Sequence, residues 1–167
     1  MFSEIIDFSS CCKEEDRIEF LYNIFRNDFI INRCFLADKI YIDPKSHQKR
    51  DNKEEIFWHI VTRKQRGRRV VDLARASRIK WVKPIIKNYF HSEIKMFYYF
   101  EDNGKIRLYL WAYNYDFVVI LQKLGNSSSY LVTSFYIDNQ RKRDVFQKKF
   151  EDYINRVDSR LNGCEWF

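Results

Sequence analysis

His59 lies between two aromatic residues and a run of basic residues, a setting that suits chemistry on a phosphate. Phe57 and Trp58 precede it, and the basic residues that follow it are Arg63, Lys64, Arg66, Arg68 and Arg69. Metal-independent cleavage of RNA needs a base for the 2′-hydroxyl, a cation for the charge on the phosphoryl oxygens and an acid for the leaving 5′-oxygen. Histidine, arginine and a hydroxyl group can supply these three. A single histidine among apolar neighbours is also typical of a hydrogen-bonded core residue, so both roles stay open for His59.

The basic run around Gly67 cannot pack into a core without leaving uncompensated charges, so it predicts an exposed turn. Such a turn can contact phosphates or can serve solubility alone. A second basic set follows, in which Asp72, Arg75 and Arg78 are three positions apart. On a helix this spacing brings successive side chains to one face, where the arginines can bind a phosphate or form surface salt bridges.

Hydroxyl groups are concentrated in a late segment that alternates with apolar residues. Thr133, Ser134 and Tyr136 lie there, in a stretch whose period of two predicts a β-strand. Alternation places Ser134 and Tyr136 on one face and Thr133 on the other. We therefore expect all three to serve one site only if the strand bulges.

Composition limits the chemistry further. The chain carries 30 Lys and Arg against 23 Asp and Glu, and this net charge of +7 favours phosphate-bearing partners without naming one. Its 4 glycines form no phosphate-cradling motif, which argues against a nucleotide cofactor. Its 3 histidines do not have metal-ligand spacing with each other or with cysteines. We predict no cofactor and no metal.

The first residues, MFSEIIDFSS, lack the basic and apolar regions of a secretion signal, and no apolar stretch approaches the length of a membrane span. The cysteines at positions 11, 12, 34 and 164 lack the spacing of a zinc knuckle, and we expect them to be reduced. The sequence therefore predicts a cytoplasmic protein with no membrane partner.

The hydrophobic pattern predicts one α+β domain over residues 1–167, with an N-terminal helical part (1–53) and a core (54–160). Residues 14–31 read as an amphipathic helix with Ser9 or Ser10 as its cap, and 39–43 as a short extended piece. Residues 45–53 are polar and predict an exposed loop, whereas 54–63 fit a strand or a short helix equally well.

The second half of the pattern changes from helical to strand periodicity. Residues 71–89 read as a helix that Pro84 ends or kinks. Turn residues then divide the next stretch into four strands, which the short connections force into an antiparallel meander: residues 94–101, 105–113, 117–124 and 130–137. A helix over 139–160, capped by Asp138 or Asn139, closes the chain. The predicted architecture is N-terminal helices, a four-stranded antiparallel β-meander and a C-terminal helix.

One face of the second of these strands carries Arg107, Tyr109, Trp111 and Tyr113. This face could pack beneath a helix, since aromatic residues are common on half-buried sheets. Alternatively, it could be a surface on which bases stack beside an arginine.

These segments resemble the phage-associated branch of the barnase, EndoU, colicin and RelE-like (BECR) nuclease superfamily over roughly residues 54–150. The resembling motifs are FWHIVTR at 57–63, DLARASRIKWVKPII at 72–86, IRLYLW at 106–111, DFVVIL at 116–121 and LVTSFYID at 131–138. The resemblance implies helices followed by a four-stranded antiparallel sheet, in agreement with the periodicity.

The same resemblance implies a toxin-like or phage-related endoribonuclease that cleaves RNA without a metal to a 2′,3′-cyclic phosphate. His59 would be the general base or acid, and Arg78, with Arg75 or Arg107, would hold the scissile phosphate. Thr133 and Tyr136 would orient the phosphate or donate a proton. The late Thr-x-aromatic motif of such families appears here as Thr133, Ser134 and Phe135. The implied partners are RNA, whether tRNA, mRNA or rRNA, and a cognate antitoxin or immunity protein.

Two alternatives stay open beside this interpretation. In one, the chain is a non-catalytic RNA-binding module whose phosphate contacts come from the basic turn and whose bases stack on Tyr109, Trp111 and Tyr113. The phosphate contacts would be Arg63, Arg66, Arg68 and Arg69. In the other, it is a protein-interaction domain, such as a nuclease inhibitor or a component of phage defence.

Overall fold

Helices cover both faces of one mixed β-sheet in the computed structural model, which describes residues 2–167. The α-helices are α1 (Glu14–Phe25), α2 (Glu55–Val61), α3 (Leu73–Ala76), α4 (Ile79–Lys87) and α5 (Gln140–Ile154). The strands are β1 (Phe35–Leu36), β2 (Ile40–Asp43), β3 (Lys49–Arg50), β4 (Lys53–Glu54), β5 (Thr62–Gln65), β6 (Arg68–Val71), β7 (Ile94–Phe100), β8 (Ile106–Ala112), β9 (Phe117–Lys123) and β10 (Ser128–Tyr136). The predicted α+β class is confirmed.

The predicted four strands are present as β7 to β10, and each pairs antiparallel with the next. The sheet is nevertheless larger than predicted, because its order is β1-β2-β10-β9-β8-β7. Strand β2 pairs parallel with β10, but only along Ser128, Ser129 and Tyr130. Beyond Tyr130, β10 therefore has β9 on one side only, and α2 and α3 pack against it.

The N-terminal part is not purely helical, since it supplies β1 and β2 to the sheet. Helix α1 continues into a π-helix (Arg26–Ile31), so the predicted helical span is correct. The predicted cap is wrong, because Lys13 is the N-cap residue. Ser9 instead donates from its backbone and its hydroxyl to Asp7, each at 2.9 Å. The predicted loop 45–53 contains a small hairpin formed by β3 and β4.

Residues 54–63, which by sequence fit a strand or a short helix equally well, comprise the last residue of β4, all of α2 and the first two residues of β5. The helix does not end at Pro84, because Pro84 lies within α4, so that alternative of the prediction is wrong. The chain breaks earlier, at Ser77 and Arg78, between α3 and α4. At the other end, Asn139 caps α5 as predicted by accepting from the backbone of Lys142, but the helix ends at Ile154.

Two apolar clusters lie on opposite faces of the sheet. The larger packs α1, α2 and α4 against β8, β9 and β10. The smaller packs α5 through Phe146 against Phe97, Tyr109 and Trp111 of the sheet. The four cysteines are free thiols. No helix among residues 2–167 is long and apolar enough to cross a membrane.

Candidate functional site

His59 is on the last turn of α2, with its side chain 39% exposed. Its neighbours on the helix, Phe57 and Ile60, are fully buried and anchor α2 in the larger cluster. The helical spacing thus turns His59 away from the core while the residues beside it enter the core. Of the two roles that the sequence left open, the structure excludes the fully buried core histidine.

Burial lowers the pKa of His59, and the nearby cations Arg69, Arg50 and Lys64 lower it further. The carboxylate of Glu55 acts in the opposite direction, with its Oε2 4.0 Å from Nε2 of His59. Because the resulting pKa is below its ordinary value near 6.5, the imidazole is neutral at pH 7. A neutral imidazole is the form that can accept a proton.

Glu55 and Arg50 belong to this environment although the sequence motifs did not single them out. Glu55 is one helical turn before His59, and its Oε1 accepts from Nη2 of Arg50 at 3.0 Å. The i, i+4 spacing of Glu55 and His59 would have predicted their proximity if this segment had been known to be helical. The proximity of Arg50 to Glu55 could not be predicted from spacing, because it depends on the small hairpin of β3 and β4.

Arg75 reaches from α3 to the end of α2. Its Nη1 donates to the backbone carbonyl of His59 at 3.0 Å and to that of Thr62 at 2.9 Å. These are carbonyls that a helix leaves unpaired at its C-terminus, where a cation is also favoured by the helix dipole. Asp72 lies beside the same guanidinium, with Oδ2 3.7 Å from Nε. Arg75 therefore holds the end of α2 in place.

Thr133 joins the same junction from β10. Its hydroxyl donates to the carbonyl of His59 at 3.0 Å and lies 3.5 Å from Nη1 of Arg75. The structure thus brings His59, Arg75 and Thr133 of the predicted residues together. They meet through the backbone of His59, so that Thr133 and Arg75 fix the position of the residue that carries the imidazole.

The basic run forms a hairpin of β5 and β6 that starts directly after α2. Its two-residue turn is made by Arg66 and Gly67, with φ of 49° and 78°, as a tight type I′ turn requires. The predicted exposed turn is confirmed, since Arg63, Lys64, Arg66 and Arg68 are all exposed. These cations extend the positive surface outward from His59.

Arg69 differs from the other hairpin cations because it is half-buried beside the end of α2. Its Nη1 donates to Oγ1 of Thr62 at 3.1 Å, and the Thr62 hydroxyl in turn donates to the carbonyl of Trp58. Of the charges around His59, Arg69 lowers the pKa of the imidazole most. It is therefore the hairpin arginine best placed to bind a phosphate next to His59.

Arg78 and Tyr136 form a separate pair. The guanidinium carbon of Arg78 lies 4.3 Å from the centre of the Tyr136 ring, in a cation–π arrangement. Strand β10 has a bulge between Leu131 and Thr133, but it precedes the hydroxyl residues and leaves Thr133 and Tyr136 on opposite faces. Arg75 and Arg78 therefore contact opposite faces of β10, and the predicted catalytic set divides into two pairs.

Tyr109 and Trp111 cannot stack bases, and that prediction is wrong. Their exposed fractions are 4% and 1%, because Phe146 of α5 packs over both rings. The alternative that this face packs beneath a helix is the correct one.

Arg107 is on the same buried face, two strands from β10, which is about 10 Å at ordinary strand spacing. Its guanidinium lies 3.8 Å from Glu101 and 3.4 Å from the side-chain oxygen of Gln122. The structure therefore does not bring Arg107 to His59.

No protein-family model matches the chain, and neither a curated protein nor a solved structure is significantly similar to it. The resemblance to the nuclease superfamily accordingly stays a prediction that rests on the short motifs and on the order of the elements.

Proposed function

We propose that the protein is a metal-independent endoribonuclease of the toxin-like or phage-related kind, acting on RNA in the cytoplasm. The observation that carries the proposal is the side chain of His59, which is partly exposed, has a lowered pKa and lies near Arg50, Lys64 and Arg69. A neutral base in a positive field is the combination that RNA transesterification needs. The resemblance to the BECR superfamily supports the same reaction.

In the proposed reaction, His59 removes the proton from a 2′-hydroxyl, and the 2′-oxygen attacks the adjacent phosphorus. The bond from phosphorus to the 5′-oxygen breaks, leaving a 2′,3′-cyclic phosphate and a 5′-hydroxyl. Arg69 stabilises the charge on the phosphoryl oxygens. Thr133 acts as a positioning residue, because its hydroxyl already donates to the carbonyl of His59.

The leaving 5′-oxygen needs a proton donor. Tyr136 is the member of the predicted set whose hydroxyl makes no hydrogen bond with any residue of 2–167, and it lies against Arg78. We assign Tyr136 as the candidate acid, with the scissile phosphate at the edge of β10 that β2 leaves unpaired, where side chains from both faces of the strand meet α2 and α3. The proposed substrate is RNA as a class, with no preference for tRNA, mRNA or rRNA, and a cognate antitoxin or immunity protein would restrain the activity.

The test is cleavage of a fluorescent RNA in EDTA, with mass spectrometry of the products. The wild-type protein should yield 2′,3′-cyclic phosphate ends, and His59→Ala should lose about 100-fold or more in rate. His47→Ala is the matched control, because His47 is exposed on a loop. Arg78→Ala should also reduce cleavage. If His59→Ala and Arg78→Ala both cleave like the wild type, the assignment fails.

A specific observation favours a second function, RNA binding without cleavage. Nη1 of Arg75 and the hydroxyl of Thr133 are both bound to backbone carbonyls, which leaves His59 with fewer free catalytic neighbours than the motifs predicted. A binding module would show steep salt dependence of RNA affinity and no product in the same assay.

A further inference from the structure

A groove with an apolar floor runs between the first helical segment and α4, away from His59. Its volume is about 690 Å³, and its lining includes Phe20 and Ile24 of α1 and Pro84 of α4. Phe20 is 47% exposed, although Leu21 and Phe25 of the same helix are fully buried. A large ring left open to water beside other apolar atoms is typical of a surface that a partner covers.

Lysines form the α4 side of the groove. Lys80, Lys83 and Lys87 are at positions i, i+3 and i+7, so they share one face of α4. Lys83 donates to the backbone carbonyl of Asn32 at 3.0 Å. Neither Lys80 nor Lys87 makes a salt bridge with any residue of 2–167, and both are exposed. The α4 side therefore presents two unpaired cations.

The opposite wall is formed by α1 and the π-helix that continues it. Asp28 of the π-helix lines the groove, and burial raises the pKa of its carboxyl group while Lys83 lowers it. One carboxylate and three lysines thus line the groove, which keeps a positive balance.

We propose that this groove binds an amphipathic α-helix of a protein partner, with an apolar stripe on the floor and acidic residues facing α4. Two helical walls with an apolar floor suit the helix-in-groove mode of recognition. Lys80 and Lys87 are about 10 Å apart along α4, at 1.5 Å per residue. The partner helix therefore carries Asp or Glu at positions spaced by seven, beside Leu-type or aromatic anchors that meet Phe20.

Charge and apolarity together select this occupant. An RNA backbone would meet the lysines but would leave Phe20 and Ile24 without apolar contacts, and a basic or neutral helix would leave Lys80 and Lys87 unpaired. The proposal concerns a surface distinct from that of His59 and does not depend on RNA cleavage.

The experiment is a selection of 20-residue helical peptides on the full-length chain, from a display library randomised over apolar, acidic, basic and neutral residues. Acidic amphipathic peptides should be enriched, and fluorescence anisotropy should give the dissociation constants of synthetic copies. The variants Lys80→Glu with Lys87→Glu, and separately Phe20→Ser, should weaken binding by about tenfold or more. The exposed residues Lys123 and Leu124 provide the controls Lys123→Glu and Leu124→Ser, which should leave binding within about twofold.

Circular dichroism establishes that each variant is folded before its affinity is compared. The proposal is overturned if the selected peptides bind the groove variants as well as they bind the wild type. It is likewise overturned if the selection enriches basic or neutral peptides instead of acidic ones. It is also overturned if the groove variants leave peptide binding unchanged but abolish binding to phosphatidylserine vesicles or to RNA, since the groove would then serve a membrane or a nucleic acid.

Discussion

The hydroxyl of Thr133 donates a hydrogen bond to the backbone carbonyl of His59 at 3.0 Å, across 74 positions of the chain. Nη1 of Arg75 donates to the same carbonyl at 3.0 Å. One carbonyl oxygen is therefore the point at which α2, α3 and β10 meet. Any change at Thr133 or Arg75 acts on the position of His59 before it acts on a substrate.

Replacing Thr133 by valine should lower the free energy of unfolding by about 1 kcal/mol, because the hydrogen bond to the His59 carbonyl is lost while the side-chain shape is kept. Thr133→Ser keeps the hydroxyl and should be closer to the wild type. Urea denaturation measures both effects. Equal stability of the valine and serine variants would show that the hydrogen bond contributes nothing to the junction.

The pKa of His59 should respond to its neighbours in opposite directions. Arg69→Gln removes a positive charge that lowers this pKa, so the pKa should rise, whereas Glu55→Gln removes a negative charge that raises it, so the pKa should fall. Arg69→Gln leaves the other charges near His59 unchanged, whereas Glu55→Gln also removes the ion pair between Glu55 and Arg50. NMR titration of the imidazole measures the two shifts, and shifts of the same sign would contradict the assigned surroundings.

The same pKa determines how cleavage should depend on pH if His59 is the base. The rate should rise with pH and level off above the folded-state pKa, which is below 6.5. Arg69→Gln should move the rise to higher pH. Stability follows from the same shift: the unfolded chain binds more protons between the lowered pKa and about 6.5, so this contribution to stability falls as pH decreases through that window. A rate that is flat from pH 4 to pH 8 would remove His59 from the proton transfer.

Much of the fold could be predicted from the periodicity of the apolar residues and from the turn residues. The meander β7 to β10 follows from alternation and from turns such as Asp102-Asn103-Gly104, and the cap at Asn139 follows from residue type. The parallel pairing of β2 with β10 was not readable, because it joins residues far apart in the sequence through a few backbone hydrogen bonds. The expectation that the helix could end at Pro84 failed because a proline within a helix loses one hydrogen bond but does not by itself end α4.

The site could be predicted only in part, because contacts between distant segments are not visible in the sequence. The sequence supplied the residue types of His59, Arg75 and Thr133, but their convergence on one carbonyl depends on where α2 ends against β10. The face of Tyr109 and Trp111 was ambiguous by composition, and only the packing of α5 decided it.

Arg75→Met should destabilise the fold by about 1–3 kcal/mol, because the carbonyls of His59 and Thr62 lose their donor at the end of α2. Arg75→Lys should recover part of the loss, since an ammonium can donate to these carbonyls but lacks the planar fork. Arg63→Met is the control, because Arg63 is exposed on the hairpin. Urea denaturation of the three variants checks the order, and a similar small loss for Arg75→Met and Arg63→Met would refute the capping role.

The tip of the hairpin should contribute to RNA affinity through phosphate contacts. Arg66→Ala and Arg68→Ala should each weaken binding and reduce the slope of log affinity against log salt by about 0.7, the value for one phosphate contact on a single strand. The measurement is anisotropy of a 2′-O-methyl RNA, which cannot be cleaved, over a range of salt concentrations. Lys105→Ala, at an exposed turn on another part of the surface, should leave the slope unchanged. Slopes equal to the wild type for both arginine variants would place the RNA elsewhere.

Trp111 should affect stability and not RNA recognition, because its ring is 1% exposed between the sheet and Phe146 of α5. Trp111→Ala should cost about 3–5 kcal/mol of unfolding free energy, and Trp111→Phe, which keeps an aromatic ring, should cost less. The phenylalanine variant stays folded, and it should bind the same 2′-O-methyl RNA with the affinity of the wild type. A tenfold loss of affinity in a folded Trp111→Phe protein would mean that α5 moves aside and that bases do reach this face of the sheet.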